Sequence, residues 1–129
     1  MTVHPFIHSI RRACAVTMIV ASASAIAPTA ASAHVFPQSQ TPSAGADVSS
    51  PANVTITFNG PLEPAFSGLT ISDASGKTVS REKATVAPND ARTISVPLPA
   101  LPPGKYVVHW VAVASDGHRT QGDYSFNVR

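Results

Sequence analysis

A short segment near the C-terminus, Ser115-Asp116-Gly117-His118, contains two residue types that bind metal ions. Asp116 and His118 are two positions apart, and in an extended backbone such side chains point to the same side. A carboxylate oxygen and an imidazole nitrogen are two usable ligands for a metal ion. On spacing alone, a solvated Asp-Gly turn with no ligand role is the commoner interpretation, so the pair needs a further ligand to be convincing.

The N-terminus has the features of a secretory signal peptide. Arg11-Arg12 precedes a short apolar run, and small residues follow as far as Ala31-Ser32-Ala33. This pattern indicates export with cleavage after Ala33. The alternative, an uncleaved membrane anchor, is disfavoured because a span takes about 20 predominantly apolar residues. We therefore predict that residues 1–33 are a signal peptide and that residues 34–129 form one periplasmic domain.

Removal of the signal peptide changes the composition of the protein. The only cysteine, Cys14, and both methionines are lost, so the exported domain has no sulfur and forms no disulfide. The formal charge of +2 at pH 7 includes Arg11 and Arg12, so the exported domain is neutral. A neutral domain gives no electrostatic reason to expect a nucleic-acid partner. A blue-copper electron-transfer site is also disfavoured, because it needs a cysteine thiolate.

Cleavage after Ala33 makes His34 the first residue of the exported chain. An N-terminal histidine offers its amine and one imidazole nitrogen to the same ion. The amine titrates near pH ~8, so a metal ion can displace its proton at neutral pH. Together with the imidazole of His118 and an oxygen of Asp116, the set holds three nitrogens and one oxygen. Such a set without sulfur suits Cu(II).

Other polar residues are poorer candidates for ligands. His109 lies between two valines on the face of its predicted strand opposite Trp110, which indicates a surface position. Asp123 and Glu63 are interpreted as solvated charges. The predicted metal site therefore contains His34, Asp116 and His118 only.

The exported domain reads as short strands and turns. Apolar residues alternate with polar ones in most of the segments, and no stretch of ten residues or more carries a helical apolar stripe. The predicted strands are residues 53–58, 68–72, 77–79, 84–86, 92–96, 105–113 and 124–128. This pattern predicts an all-β, seven-stranded Greek-key β-sandwich or barrel, Ig-like or cupredoxin-like, with Phe58, Trp110, Tyr124 and Phe126 between the sheets.

Several motifs of the domain occur together in one known family. They are His34 at the predicted N-terminus, Thr41-Pro42, Val54–Phe58 followed by Pro61-Leu62-Glu63, Phe66-Ser67-Gly68, Pro102–Tyr106, and Trp110–His118 followed by Gly122. On these motifs the chain resembles the periplasmic copper-binding CopC family over essentially all of residues 34–129. Each motif is weak alone, and the specific feature is the Trp110–His118 segment combined with an N-terminal histidine.

The resemblance implies a cupredoxin-like fold and a single Cu(II) ion per chain, with His34, Asp116 and His118 as its ligands. It implies a non-enzymatic protein that sequesters copper or delivers it to a CopD-type membrane transporter. Gly60 stands where some members place a glutamate near the copper. Residues 69–90 lack the methionines and histidine that hold Cu(I) in some members.

Two alternatives from other functional classes remain at this point. The first is an Ig-like interaction module that binds no metal. The second is a copper-dependent oxidative enzyme in which an N-terminal histidine holds the metal, as in lytic polysaccharide monooxygenases. The predicted domain has little room for the substrate-binding loops of such an enzyme and contains one tryptophan.

Overall fold

The computed structural model describes residues 34–129, and the predicted signal peptide and its cleavage site lie outside this range. The described part contains eight strands and no helix. The strands are β1 (Pro37–Thr41), β2 (Asp47–Val48), β3 (Asn53–Phe58), β4 (Gly68–Asp73), β5 (Thr85–Ala87), β6 (Asp90–Pro97), β7 (Gly104–Val113) and β8 (Arg119–Val128). None of the described segments is a helix long and apolar enough to cross a membrane.

The strands form two four-stranded sheets that pack as a sandwich. The first sheet has the order β1-β3-β6-β5 and the second the order β2-β8-β7-β4. Strand β2 runs parallel to β8, and the other pairs are antiparallel. The predicted all-β, two-sheet sandwich is therefore confirmed, although β1 and β2 were not among the predicted strands.

The apolar alternation read from the sequence matches the interior. On β3, Val54, Ile56 and Phe58 are fully buried, and they belong to one core cluster with residues of β7 from the second sheet. The Phe58 ring meets the Trp110 indole edge-on, with centroids 5.4 Å apart. Burying one such large apolar side chain stabilises a fold by roughly 1.5–3 kcal/mol, so the two inner faces hold the sandwich together. Tyr124 is only half-buried and packs against the edge of this core.

The predicted strand at residues 77–79 is wrong. The chain does turn back after β4, since the Asp73 N–H bonds to the Lys77 carbonyl at 2.9 Å. Only an isolated bridge between Ser72 and Thr78 follows. The hydroxyl of Ser80 then accepts the N–H of Ile71 at 3.2 Å. A side chain replaces the backbone partner there, so a regular ladder does not continue.

Candidate metal centre

Asp116 and His118 lie in the loop that joins β7 to β8. The loop is closed by two backbone hydrogen bonds of 2.9 Å, from the Ala114 N–H to the His118 carbonyl and from the Gly117 N–H to the Ala114 carbonyl. Gly117 has φ of +88°, a conformation that costs glycine little. The sequence predicted an extended backbone for this pair, and that is wrong. The turn at Gly117, rather than strand alternation, brings the two side chains together.

The carboxylate of Asp116 contacts His118 twice. Its Oδ1 accepts the His118 backbone N–H at 3.0 Å, and its Oδ2 lies 3.0 Å from His118 Nδ1. The backbone bond first, and the imidazole second, lower the pKa of Asp116 below its usual value. Both side chains are about half exposed. The carboxylate is therefore held ionised at the surface, where an ion from solvent can reach it.

His34 lies beside this loop, although it is far from it in the sequence. Its imidazole lies next to that of His118, with ring centroids 5.3 Å apart and planes nearly perpendicular. The Phe36 ring also lies edge-on to the His34 imidazole, with ring centroids 6.3 Å apart. His34 is exposed, whereas its neighbour Val35 is buried in the core. The buried valine anchors the segment and leaves the histidine at the surface.

A small cavity of about 180 Å³ opens beside these residues. His34 and Asp116 line it, together with Asn59, Gly60 and Pro61 from the segment after β3. Gly60 faces Val35 closely, since a Cβ built on it would lie 3.0 Å from a Val35 methyl group. The position at which some family members carry a glutamate thus contributes only backbone to this cavity.

The structure brings the predicted site residues together in pairs. His34 lies beside His118, and Asp116 contacts His118. Within residues 34–129, no three His, Cys, Asp or Glu side chains are arranged closely enough to hold a metal ion as a group. The candidate donors are two imidazoles and a carboxylate, a sulfur-free set that fits a borderline divalent ion such as Cu(II).

His109 and Asp123 form a separate pair on the outer face of the second sheet. They are directly opposite on β7 and β8, and His109 Nδ1 lies 2.6 Å from Asp123 Oδ1. The surface position predicted for His109 is confirmed. The pairing was missed, because it depends on the register between two strands. This register places the pair four residues from the loop that carries His118.

Sequence reasoning also missed two residues that hold the His34 segment. The hydroxyl of Thr120 donates to the Val35 carbonyl, and Asn59 exchanges two hydrogen bonds with the Phe36 backbone. These contacts join residues far apart in the chain, so no local sequence pattern indicates them. Only the tertiary placement of the N-terminal segment reveals them.

Comparison with known proteins agrees with this fold. The family model described as the CopC domain matches residues 37–129, a range that includes Asp116 and His118 and begins after His34. Protein YobA of Escherichia coli (strain K12) is 35% identical over 99 residues, covering 75% of this chain and 80% of YobA. Copper resistance protein C of Xanthomonas campestris pv. juglandis is 34% identical over 119 residues, covering 88% and 94%.

Among solved structures, CopC from Methylosinus trichosporium OB3b is similar to this chain with a TM-score of 0.69 and 38% identity. The match covers 74% of this chain and 93% of that protein. A family match over most of the domain and a shared fold at this identity support a copper-related function. The chain belongs to the CopC family.

Proposed function

We propose that the exported protein binds one Cu(II) ion through His34, Asp116 and His118. The observation that supports this most directly is the 5.3 Å approach of the His34 and His118 imidazoles. These rings belong to residues far apart in the sequence, and they meet at the surface beside a carboxylate. Family members named copper resistance protein C make copper the ion to test first.

The α-amine of His34 is the fourth proposed donor. It becomes free only if cleavage occurs after Ala33. Imidazole and amine nitrogens with one carboxylate oxygen, and no thiolate or thioether, favour Cu(II) over Cu(I). Residues 34–129 contain neither cysteine nor methionine, so the domain offers no soft ligand for the reduced ion.

The position of the donors favours storage or transfer of the ion rather than catalysis. Asp116 and His118 are about half exposed and lie in a loop at one end of the sandwich. An ion held there remains within reach of another protein. We infer that the protein works in the periplasm, where it sequesters copper or delivers it to a CopD-type membrane transporter, and that it is not an enzyme.

The test begins with the mass of the protein recovered after export, which is expected to match a chain that starts at His34. Titration of this protein with Cu(II), followed by EPR, is expected to saturate at one equivalent. His34→Ala and His118→Ala should each lose most of the affinity. His109→Ala is the matched control, because it removes an exposed imidazole on the outer face of the second sheet.

Two results would contradict the proposed copper site. One is a chain that starts at another residue and still binds Cu(II) tightly. The other is an unchanged affinity in the His34→Ala and His118→Ala variants. Oxygen-dependent oxidation of a polysaccharide by the copper-loaded protein in the presence of a reductant would contradict the non-enzymatic role.

A further inference from the structure

Two residues outside the proposed donor set fix the backbone that follows His34. The Thr120 hydroxyl donates to the Val35 carbonyl at 2.6 Å. The Asn59 side-chain oxygen accepts the Phe36 N–H at 2.8 Å, and the Asn59 N–H donates to the Phe36 carbonyl at 3.0 Å. The two peptide units on either side of Phe36 are thus tied by three hydrogen bonds to other parts of the domain.

Thr120 is placed to connect the two halves of the site. It is the second residue of β8, where it pairs with Ala112 of β7, and it follows His118 by two positions. Its hydrogen bond therefore joins the hairpin that carries His118 directly to the segment that carries His34. Asn59 joins the same segment to the end of β3.

Packing alone does not fix the direction of the His34 side chain. The Val35 side chain is buried and sits against Gly60, which holds the valine in place. The peptide unit between Val35 and Phe36 could still rotate while the valine side chain stays buried, because φ and ψ are soft. Such a rotation would carry His34 away from His118. The hydrogen bond from Thr120 to the Val35 carbonyl opposes it.

We propose that Thr120 and Asn59 are positioning residues of the copper site, which set the direction from which His34 meets His118. This inference rests on the proposed function, because it assumes that His34 is a ligand. Partners that orient metal ligands from outside the donor set contribute roughly 10- to 100-fold to metal affinity. Both residues bind the backbone that follows His34, and neither is one of the proposed copper ligands.

The test uses the exported protein with Thr120→Val, which keeps the shape of the side chain but lacks the hydroxyl. Cu(II) affinity is expected to fall roughly 10- to 100-fold, with altered EPR parameters. Thr120→Ser keeps a hydroxyl and should retain most of the affinity and the original spectrum. Asn59→Ala, which removes the acceptor for the Phe36 N–H, should change affinity in the same direction.

Thr55→Val is the matched control for stability. The Thr55 hydroxyl makes a half-buried hydrogen bond of 2.9 Å to Ser95, between β3 and β6. Its loss should lower the unfolding free energy about as much as Thr120→Val does, and leave Cu(II) affinity and spectrum unchanged. A purely structural role for Thr120 predicts instead that the two variants behave alike.

The inference is overturned if Thr120→Val and Asn59→Ala bind Cu(II) with the original affinity and EPR spectrum while His34→Ala loses binding. Unchanged Cu(II) binding in His34→Ala would lead to a different conclusion. It overturns the proposed ligand set itself, and this inference with it. Measuring the three variants side by side therefore separates the two failures.

Discussion

Gly122 of β8 lies directly opposite Trp110 of β7, and the indole covers it. A Cβ built on Gly122 would lie 2.7 Å from Trp110 Cζ2 and 2.9 Å from Cε2. These distances are far below van der Waals contact, so no side chain fits beneath the ring. The indole is buried and meets Phe58 edge-on, which leaves it little space to move away.

Gly122→Ala is therefore expected to destabilise the domain by about 1–3 kcal/mol, as overpacking of a dense core does. Chemical denaturation followed by fluorescence of Trp110, the only tryptophan, measures both the free energy of unfolding and any shift of the indole. Gly68→Ala on β4 is the control, since a Cβ there meets nothing within 4 Å. Equal stability of the two variants would contradict the crowding of Trp110.

Tyr124→Phe is expected to stabilise the domain. The Tyr124 hydroxyl is buried and has no hydrogen-bond partner among the described residues. Leaving such a group unsatisfied carries a desolvation penalty, so its removal should raise the free energy of unfolding by about 1 kcal/mol. Thermal or urea unfolding at neutral pH measures the difference. A clear loss of stability would show that the hydroxyl has a partner, such as an ordered water.

The same residue gives a prediction for alkaline pH. Burial raises the pKa of Tyr124 from 10.0 to about 12. Between these values the unfolded chain loses the phenol proton and the folded chain keeps it, so stability should fall as pH rises. Tyr124→Phe lacks this group and should lose less stability over the same range. Parallel curves for the two proteins would contradict the raised pKa.

The inner faces of the central strands could be predicted from the sequence, and the polar edges could not. Val54, Ile56 and Phe58 alternate with threonines, so their burial follows from periodicity. Strand β1, with the sequence PQSQT, has no apolar alternation. It is a strand because its backbone pairs with β3 at the edge of the sheet. The early part of β8 is also polar and was also missed, because it is a strand through its pairing with β7.

The candidate site shows the same division. His34, Asp116 and His118 could be selected because imidazole and carboxylate are recognisable ligand types, and because the resemblance to a copper-binding family links them. The contacts of Thr120 and Asn59 depend on where the N-terminal segment crosses the sandwich. A hydroxyl and an amide are common on any surface, so composition gave no reason to select these two.

Asp73 should make the stability of the turn that follows β4 depend on pH. Its Oδ1 accepts hydrogen bonds from the Ser75 hydroxyl and from the backbone N–H groups of Ser75 and Lys77. The Ser75 hydroxyl bond first, and the backbone bonds after it, lower the pKa of Asp73 below 3.8. A lowered folded-state pKa stabilises the fold above about pH 4, and this contribution is lost as pH falls through the lowered value.

Asp73→Ala is therefore expected to lower the melting temperature at neutral pH and to approach the original protein in acid. Asp73→Asn is the matched control, because its side-chain oxygen can still accept hydrogen bonds but does not titrate. It should show less dependence on pH than the original protein. A gap between Asp73→Ala and the original protein that stays constant down to about pH 2 would contradict this assignment.

Cu(II) affinity should fall as pH is lowered from about 8 to 5, because amine and imidazole must be deprotonated to bind. The Asp116 carboxylate contributes little to this slope, because its pKa is lowered by its bonds to His118 and it stays ionised over the range. Asp116→Asn should therefore weaken binding and keep the same slope. Titration with Cu(II) at several pH values measures both. Affinity independent of pH would contradict nitrogen ligation.

Adding one residue before His34 tests the contribution of the α-amine to Cu(II) binding, independently of the side chains of the proposed site. The added peptide bond turns the amine into an amide, which is a much poorer ligand at neutral pH, while every side chain stays the same. The extended protein is expected to lose most of its Cu(II) affinity and to change its EPR parameters. Its unfolding curve without copper should match that of the original, because His34 is exposed and the anchoring Val35 is untouched. Equal Cu(II) affinity in both forms would remove the amine from the ligand set and leave a site of side chains only.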